Sequence, residues 1–444
     1  MADLELKKAI FNRRMLICIG TGFSSGLPLY VIYTLLPAWL RSEGVSLKEI
    51  GLFSLIGIPY AWKFFWAPAL DRYSMPFLGH RRGWLLLFQL CLLASIAGFG
   101  FFSPTMSIGL IAYLALAVAF FSASQDVVLD AYRRELLSDQ ELGLGNSIHV
   151  NAYRVSGLIP GSLALILADH MPWREVYFIV AVFMLVGIIM TLLISEAKSG
   201  PPRSMTLQEA IITPFQEFFQ RNGLKPALTI LAFMFLYKLG DSMATALSTP
   251  FYQDLGFSLS EIGIIAKNAA LWPAILGGLA GGILMLKWGI NRALWLFGFV
   301  QIISILGFAL LSIVGPDKLL LALVIAFEYL GVGLGTAAFV AFIARSTHKD
   351  HIATQFALFT ALTALPRTFA NATTGFLIEG LDNDSMLVQL LGPHPLLLEG
   401  LGYTNFFIFC TFAAIPGMLL LFYVAPWSEQ SDINQQATQQ ENQG

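Results

Sequence analysis

Charge is what this chain has least of. Asp, Glu, Lys and Arg make up 12% of its 444 residues, against about 25% in an ordinary soluble protein. Its three cysteines, Cys18, Cys91 and Cys410, lie far apart inside apolar runs. That spacing suits neither a disulfide framework nor a metal-ligand set, and they read as small packed hydrophobes. The six histidines fall in or beside loops, with no pair at metal spacing, and read as solvated. No metal, cofactor or nucleic-acid partner is expected. No cleavable leader is expected either. The stretch through Arg14 is polar and basic, and the apolar run from Met15 to Leu40 is too long for a signal core and lacks a small-residue cleavage site.

What the chain has in plenty is apolar length. Hydrophobic residues account for 56%, and phenylalanine alone occurs 36 times. Apolar windows lie near 15–40, 47–70, 83–103, 107–130, 147–168 and 174–195, then near 225–253, 261–286, 293–314, 319–344, 353–380 and 403–425. Each is long enough to cross a hydrocarbon core of roughly 30 Å as a helix, which excludes a water-soluble globular fold. Basic residues are sorted by side. With the N-terminus in the cytoplasm, that side collects Lys7, Lys8, Arg13, Arg14, Arg72, Arg81, Arg82, Arg133 and Arg134, and later Lys198, Arg203, Arg221, Lys225, Lys287, Arg292, Arg345 and Lys349. The other side holds Arg41, Lys48, Arg174 and Lys318. Both termini are therefore predicted to be cytoplasmic.

The octet Gly44-Val45-Ser46-Leu47-Lys48-Glu49-Ile50-Gly51 returns as Gly256-Phe257-Ser258-Leu259-Ser260-Glu261-Ile262-Gly263. At nearly the same offset, Arg133 matches Arg345 and Arg154 matches Arg367. A repeat of half the chain in an apolar sequence predicts an all-α polytopic membrane protein with twelve transmembrane helices in two pseudo-symmetric six-helix bundles. Many secondary transporters are built so, with substrate held near the bilayer midplane between the halves. The expected division is a bundle over 1–195, a cytoplasmic linker over 196–224, a second bundle over 225–425 and a tail over 426–444. The linker opens on Gly200-Pro201-Pro202, and its Leu207–Phe219 piece has apolar residues at helical spacing, which suits an interfacial helix. The tail is rich in Gln, Asn, Ser and Glu, and disorder is expected. Between Leu381 and Gly402 lies a longer external loop.

Ionisable groups inside spans cost about 2.5–3.5 kcal/mol each on insertion, so they tend to face a partner or a cavity. In the first half these are Lys63, Asp126, Asp130 and Arg154; in the second they are Lys238, Asp241, Lys267, Glu328 and Arg367. Asp126 and Asp130 share a helix face beside Gln125, and two carboxylates one turn apart disfavour double ionisation, a plausible proton carrier. Asp130 could instead pair with Arg133 and Arg134 at the interface. Lys238 and Asp241, three apart, could neutralise each other. Arg154 and Arg367 offer planar forks suited to carboxylate or phosphate. With Lys238 and Lys267 they point to an anionic substrate, unless each pairs with a local carboxylate such as Glu328. Gly20, Gly22 and Gly26 would let another backbone approach the first span. Pro59, Pro68, Pro160, Pro273 and Pro366 would kink theirs.

Asp71-Arg72 followed by Gly79-His80-Arg81-Arg82 resembles the loop between spans 2 and 3 of the major facilitator superfamily, which implies that Asp71, Arg72 and Arg81 form a cytoplasmic gate. Longer strings carry a closer resemblance: Phe23-Ser-Ser-Gly-Leu-Pro28, Lys63-Phe-Phe-Trp-Ala-Pro-Ala-Leu-Asp-Arg-Tyr73, Ser122-Ala-Ser-Gln-Asp126, Tyr237-Lys-Leu-Gly-Asp241 and Thr354-Gln-Phe-Ala-Leu358. Together they are similar to the AmpG-type muropeptide permeases and cover nearly the whole chain in family order. The resemblance implies the major facilitator fold and a bacterial inner-membrane importer of anhydro-muropeptides for peptidoglycan recycling. Such import is driven by protons and feeds β-lactamase induction in some species. Some family members add two C-terminal spans, and related branches resemble acetyl-CoA transporters and siderophore-pathway permeases, so those substrates stay open.

On this reading Arg154, Arg367 and Lys238 hold the anionic groups of a sugar-peptide. Gln125 and Asn268 bond to sugar or amide. Asp126 carries the proton, with Asp130, Asp241 and Glu328 as further proton sites. A monomer in the lipid bilayer is expected. An intramembrane enzyme using Asp126-x3-Asp130 to hold Mg²⁺ and a diphosphate would need a second acidic cluster facing the first, and the other half supplies none. A drug exporter of the same fold is the remaining alternative, though buried arginines favour anionic cargo.

Overall fold

The computed structural model describes residues 12–138, 141–196, 213–347, 352–382, 385, 388, 389, 394 and 398–427. The tail beyond 427, the linker over 197–212 and most of the external loop lie outside the described residues. Every regular element among those described is helical. In chain order they are α1 (Arg13–Ser42), α2 (47–72), α3 (His80–Phe101), α4 (Pro104–Leu136), α5 (Leu144–Ala168), α6 (Trp173–Leu193), α7 (Thr213–Asn222), α8 (Leu224–Asp254), α9 (259–288), α10 (290–314), α11 (Lys318–Ser346), α12 (352–379) and α13 (Gly402–Val424). Nine stretches among the described residues are long and apolar enough to span a membrane. One of them is α9 and α10 together, which run on apart from a break at Gly289, where φ is 75°. With the interrupted α2 and α12 the spans number twelve, and α7 is the additional short helix.

Proline marks several of the places where these helices loosen, though Pro273 and Pro366 sit inside helices with no break beside them. α2 consists of the pieces Leu47–Leu52, Ile58–Trp62 and Ala67–Arg72, joined by 3-10 turns at Phe53–Gly57 and Lys63–Phe65. Pro59 and Pro68 open the second and third pieces, where a missing N–H costs nothing. α1 passes into a π-turn at Val31–Leu35 just after Pro28, and α5 has one at Ile159–Leu163 that includes Pro160. α9 begins with a third, Ile262–Ala266.

The repeated octet folds the same way twice. Gly44 and Gly256 take φ of 82° and 98°, a region that favours glycine. The N–H groups of Gly44 and Val45 bond to the carbonyls of Arg41 and Leu40, and those of Gly256 and Phe257 to Gln253 and Tyr252. This is the glycine-closed helix end with its paired 5→2 and 6→1 bonds. Two residues on, Ser46 with Glu49 and Ser258 with Glu261 each form a reciprocal capping box that starts the next helix.

The chain divides into two compact units, Met1–Thr206 with Thr249–Lys267, and Leu207–Ser248 with Asn268–Gly444. In unit 1, α1 packs tightly on α5: a β-carbon on Gly22 would strike the His149 carbonyl, and one on Gly26 the Tyr153 carbonyl. A buried polar chain links four helices. Thr191 donates to Gln89 at 2.9 Å, Gln89 to Ser24 at 3.4 Å, and Ser24 to Gln125 at 3.2 Å. The segment 249–267 is bonded into the same unit. Arg41 grips Asp254 with two bonds of 2.6 and 2.7 Å, Gln253 donates to the Ala38 carbonyl, and the Ser260 N–H donates to Asp169. Unit 2 is built on an aromatic core of Phe218, Phe233, Tyr237, Phe339, Phe342 and Phe359. Phe218 of α7 is fully buried there, its ring 4.7 Å from that of Phe359. The short helix therefore belongs to unit 2 by packing.

Candidate functional site

In unit 1 the ionisable groups of α4 part company. Asp130 is exposed and pairs with Arg133 at 2.8 Å, with Lys63 at 4.0 Å. Asp126, one turn earlier, is half-buried and accepts a 2.6 Å bond from the Ser25 hydroxyl of α1. Gln125 is fully buried, and its amide is taken up by Ser24, accepting from the hydroxyl and donating 2.9 Å to the carbonyl. It clamps α1 to α4.

Arg154 sits half-buried in α5 with no ion pair or hydrogen bond among the described residues. Its neighbour Tyr153 lies 5.8 Å, ring to ring, from Tyr30 of α1. The Lys267 ammonium lies 3.8 Å from the Tyr30 centroid. Unit 1 thus holds two cations without carboxylate partners around a tyrosine pair.

Unit 2 gathers its charges instead. The Lys238 ammonium, 5% exposed, donates 2.8 Å to Asp241 Oδ2 and 3.3 Å to Gln301 Oε1. Glu328 on α11 is fully buried and accepts from the Ser304 hydroxyl of α10. The Asp241 and Glu328 carboxyl groups come within hydrogen-bonding reach of each other. Asp241 Oδ1 and Glu328 Oε1 are buried, with no donor to accept from among the described residues. One proton shared between the two carboxyls would satisfy both oxygens. Without it, two like charges meet in a low-dielectric interior where only one ammonium answers them. A cavity with about 10 Å³ of room for water centres, enough for one molecule, opens beside Asp241 and is lined also by Tyr237 and Gln301. Arg367 of α12 acts on Asp241 from farther off. Its Nε donates to the Thr363 carbonyl at 2.8 Å, and it makes no ion pair among the described residues.

The remaining expected residues stand apart. Asn268 is exposed. Of the gate residues, the Asp71 side chain lies outside the described residues, and Arg72 is exposed with its guanidinium 5.7 Å from the Tyr73 ring centroid. Arg81 is 8% exposed and bonded to Glu135 at 2.8 Å, while Glu196 caps the start of α3 through the Arg81 and Arg82 N–H groups. Tyr30, Gln301 and Ser304 were missed in the sequence. The one signal for the last two was a pair of polar residues one turn apart in the otherwise apolar α10. The histidines needed correction at one position: His149 is 8% exposed and meets the Thr21 hydroxyl at 3.1 Å, because α5 begins earlier than the apolar window and His149 falls on its face toward α1.

Comparison with known proteins agrees with this architecture. The family model of the Major Facilitator Superfamily matches residues 9–371. A protein of Haemophilus influenzae described only as uncharacterized is 49% identical over 437 residues, 96% of this chain and 98% of that one. The anhydromuropeptide permease of Escherichia coli (strain K12) is 40% identical over 423 residues, 95% of this chain and 82% of that one. Among solved structures, a mutant of the nucleoside transporter NupG superposes with a TM-score of 0.71 at 11% identity, covering 93% of this chain and all of that one. A POT family transporter in complex with a thioalcohol-conjugated peptide gives 0.69 at 14% identity, covering 95% and 99%. The fold is a transporter's and the named relatives are permeases, so the intramembrane-enzyme alternative falls. This multi-pass membrane protein belongs to the Major Facilitator Superfamily and, within it, to the family of the anhydromuropeptide permeases.

Proposed function

We propose that this protein imports anhydro-muropeptides, GlcNAc-anhydroMurNAc with or without peptide, across the bacterial inner membrane in symport with protons. Both termini lie in the cytoplasm, and the protein acts as a monomer. The observation that carries this reading is the 40% identity, sustained over 423 residues, to the anhydromuropeptide permease of Escherichia coli. Two arginines without carboxylate partners, Arg154 and Arg367, support an anionic cargo.

The Asp241–Glu328 pair is the principal proton site, and Asp126 a second one. Lys238 balances a single carboxylate of the pair, and Arg367 supplies a weaker positive field. A substrate carboxylate arriving at Arg367 would claim that field and leave the pair more dependent on its proton. Substrate and proton then favour each other's binding, and the linkage is reciprocal. One net positive charge moving down 100 mV releases about 2.3 kcal/mol, about forty-fold accumulation at about 1.4 kcal/mol per tenfold. Because each substrate carboxylate cancels one proton's charge, this takes one proton more than the cargo has negative charges. Gln125 belongs to packing, and the exposed Asn268 bonds to the sugar.

The test is uptake of labelled anhydro-muropeptide into vesicles under an imposed pH gradient, with acetyl-CoA and a siderophore as competitors. Uptake that collapses with the gradient and is unaffected by either competitor is expected. Uptake indifferent to the gradient would overturn the coupling, and competition by acetyl-CoA or the siderophore would move the substrate class.

A further inference from the structure

We infer that Lys267 binds a carboxylate of the transported molecule and selects for its ionised form, with the Tyr30 ring as its platform. The inference rests on the permease reading and names a recognition element within it.

Three observations converge on this side chain. Its ammonium lies 3.8 Å from the Tyr30 centroid. No carboxylate pairs with it and no hydrogen bond reaches it among the described residues. A desolvated ammonium with only a π-face beside it is under-compensated, since a ring quadrupole replaces a small part of its lost hydration. The neighbouring helix also makes room for it. A β-carbon on Gly157 would lie 2.9 Å from the Lys267 nitrogen, and one on Gly161 would lie 2.9 Å from its Cδ. Gly157 and Gly161 are one turn apart on the same face of α5, so the lysine stem lies along a strip bare of side chains. The side chains of Tyr30 and Thr34 also reach this strip, and among the described residues no carboxylate meets the lysine charge.

Arg154 precedes Gly157 by three positions and acts electrostatically on Tyr30. The tyrosine thus has both an ammonium and a guanidinium acting on it, neither in an ion pair among the described residues. An arginine presents a planar fork and a lysine a compact point charge. Together they suit a carboxylate, which can take two parallel bonds from the fork and a third from the ammonium.

The experiment compares two probes on purified protein in vesicles: a GlcNAc-anhydroMurNAc-tripeptide with all carboxylates free, and the same compound with all of them amidated. Wild type is expected to take up both, with KM for the amidated form higher by about tenfold or more, the usual cost of losing a hydrogen bond between charged groups. Lys267→Met should raise KM for the acid toward that of the amide and leave the amide unchanged, and Lys267→Arg should restore most of the loss. Equal KM values for acid and amide in wild type would overturn the inference, and that measurement needs no variant. Tyr30→Leu keeps the charge and removes the platform, so an intermediate loss for the acid alone is expected. Loss for acid and amide alike would mean that the ring only packs, and would overturn its role. Failure of wild type to take up either probe would instead overturn the permease reading itself.

Discussion

Units 1 and 2 carry the same arginine at matching positions of the repeat but surround it differently. Arg154 follows Tyr153 and acts on Tyr30, whose ring also meets Lys267, a lysine in no ion pair among the described residues, while Asp126 is engaged by a serine. Arg367 looks toward a buried set in which lysine, aspartate, glutamate, glutamine and serine are bonded to one another. One unit leaves positive charge open to a ligand, and the other leaves carboxyl oxygens open to a proton. On the proposed function, the two repeats would share one scaffold, with cargo recognition in one unit and the driving proton in the other.

The sharpest way to break this division is to remove the proton acceptors. In Asp241→Asn with Glu328→Gln, gradient-driven accumulation should fall from about forty-fold to none, while exchange of labelled for unlabelled substrate at equilibrium persists. A double variant that still concentrates substrate would show that unit 2 is not the coupling half. Next come the arginines. Arg154→Gln should raise KM by about tenfold or more at every external pH, as expected for a lost bond to a charged group. Arg367→Gln should do the same and also displace the pH profile of uptake. Identical pH profiles for the two would dissolve the contrast. Asp126→Asn tests the contrast from the other side, with accumulation reduced by about fivefold, the scale of one bond worth about 1 kcal/mol. A loss as complete as that of the double variant would make unit 1 the proton carrier. The smallest effect compares the repeats as scaffold. Ser46→Ala and Ser258→Ala should each lower thermal stability by about 1 kcal/mol and by nearly the same amount, because both remove the same capping bond.

Spans, repeat and family were legible because each is written in local composition or spacing. The i, i+3 interval of Lys238 and Asp241 foretold a pair that stands at 2.8 Å. Asp130 with Arg133 was readable as an interfacial pair for the same reason. What escaped was assembled from distant helices. Glu328 reaches Asp241 from α11, Ser304 reaches Glu328 from α10, and no spacing along the chain announces either meeting. Gln125 looked like a ligand because it neighbours an intramembrane acid, and the structure shows Ser24 of α1 engaging both its carbonyl and its amino group. Gly157 and Gly161 carried no message until Lys267 was found lying across them.

The twin octets have a consequence for how this chain can change length. Each uses a glycine to stop one helix and a serine–glutamate pair to launch the next, all within eight residues. Adding or deleting a single residue there would rotate two spans against their neighbours at once, by about 100° per residue of helix. Drift in size is therefore barred at both octets, and growth or trimming has room only in connections that do not set a helical register.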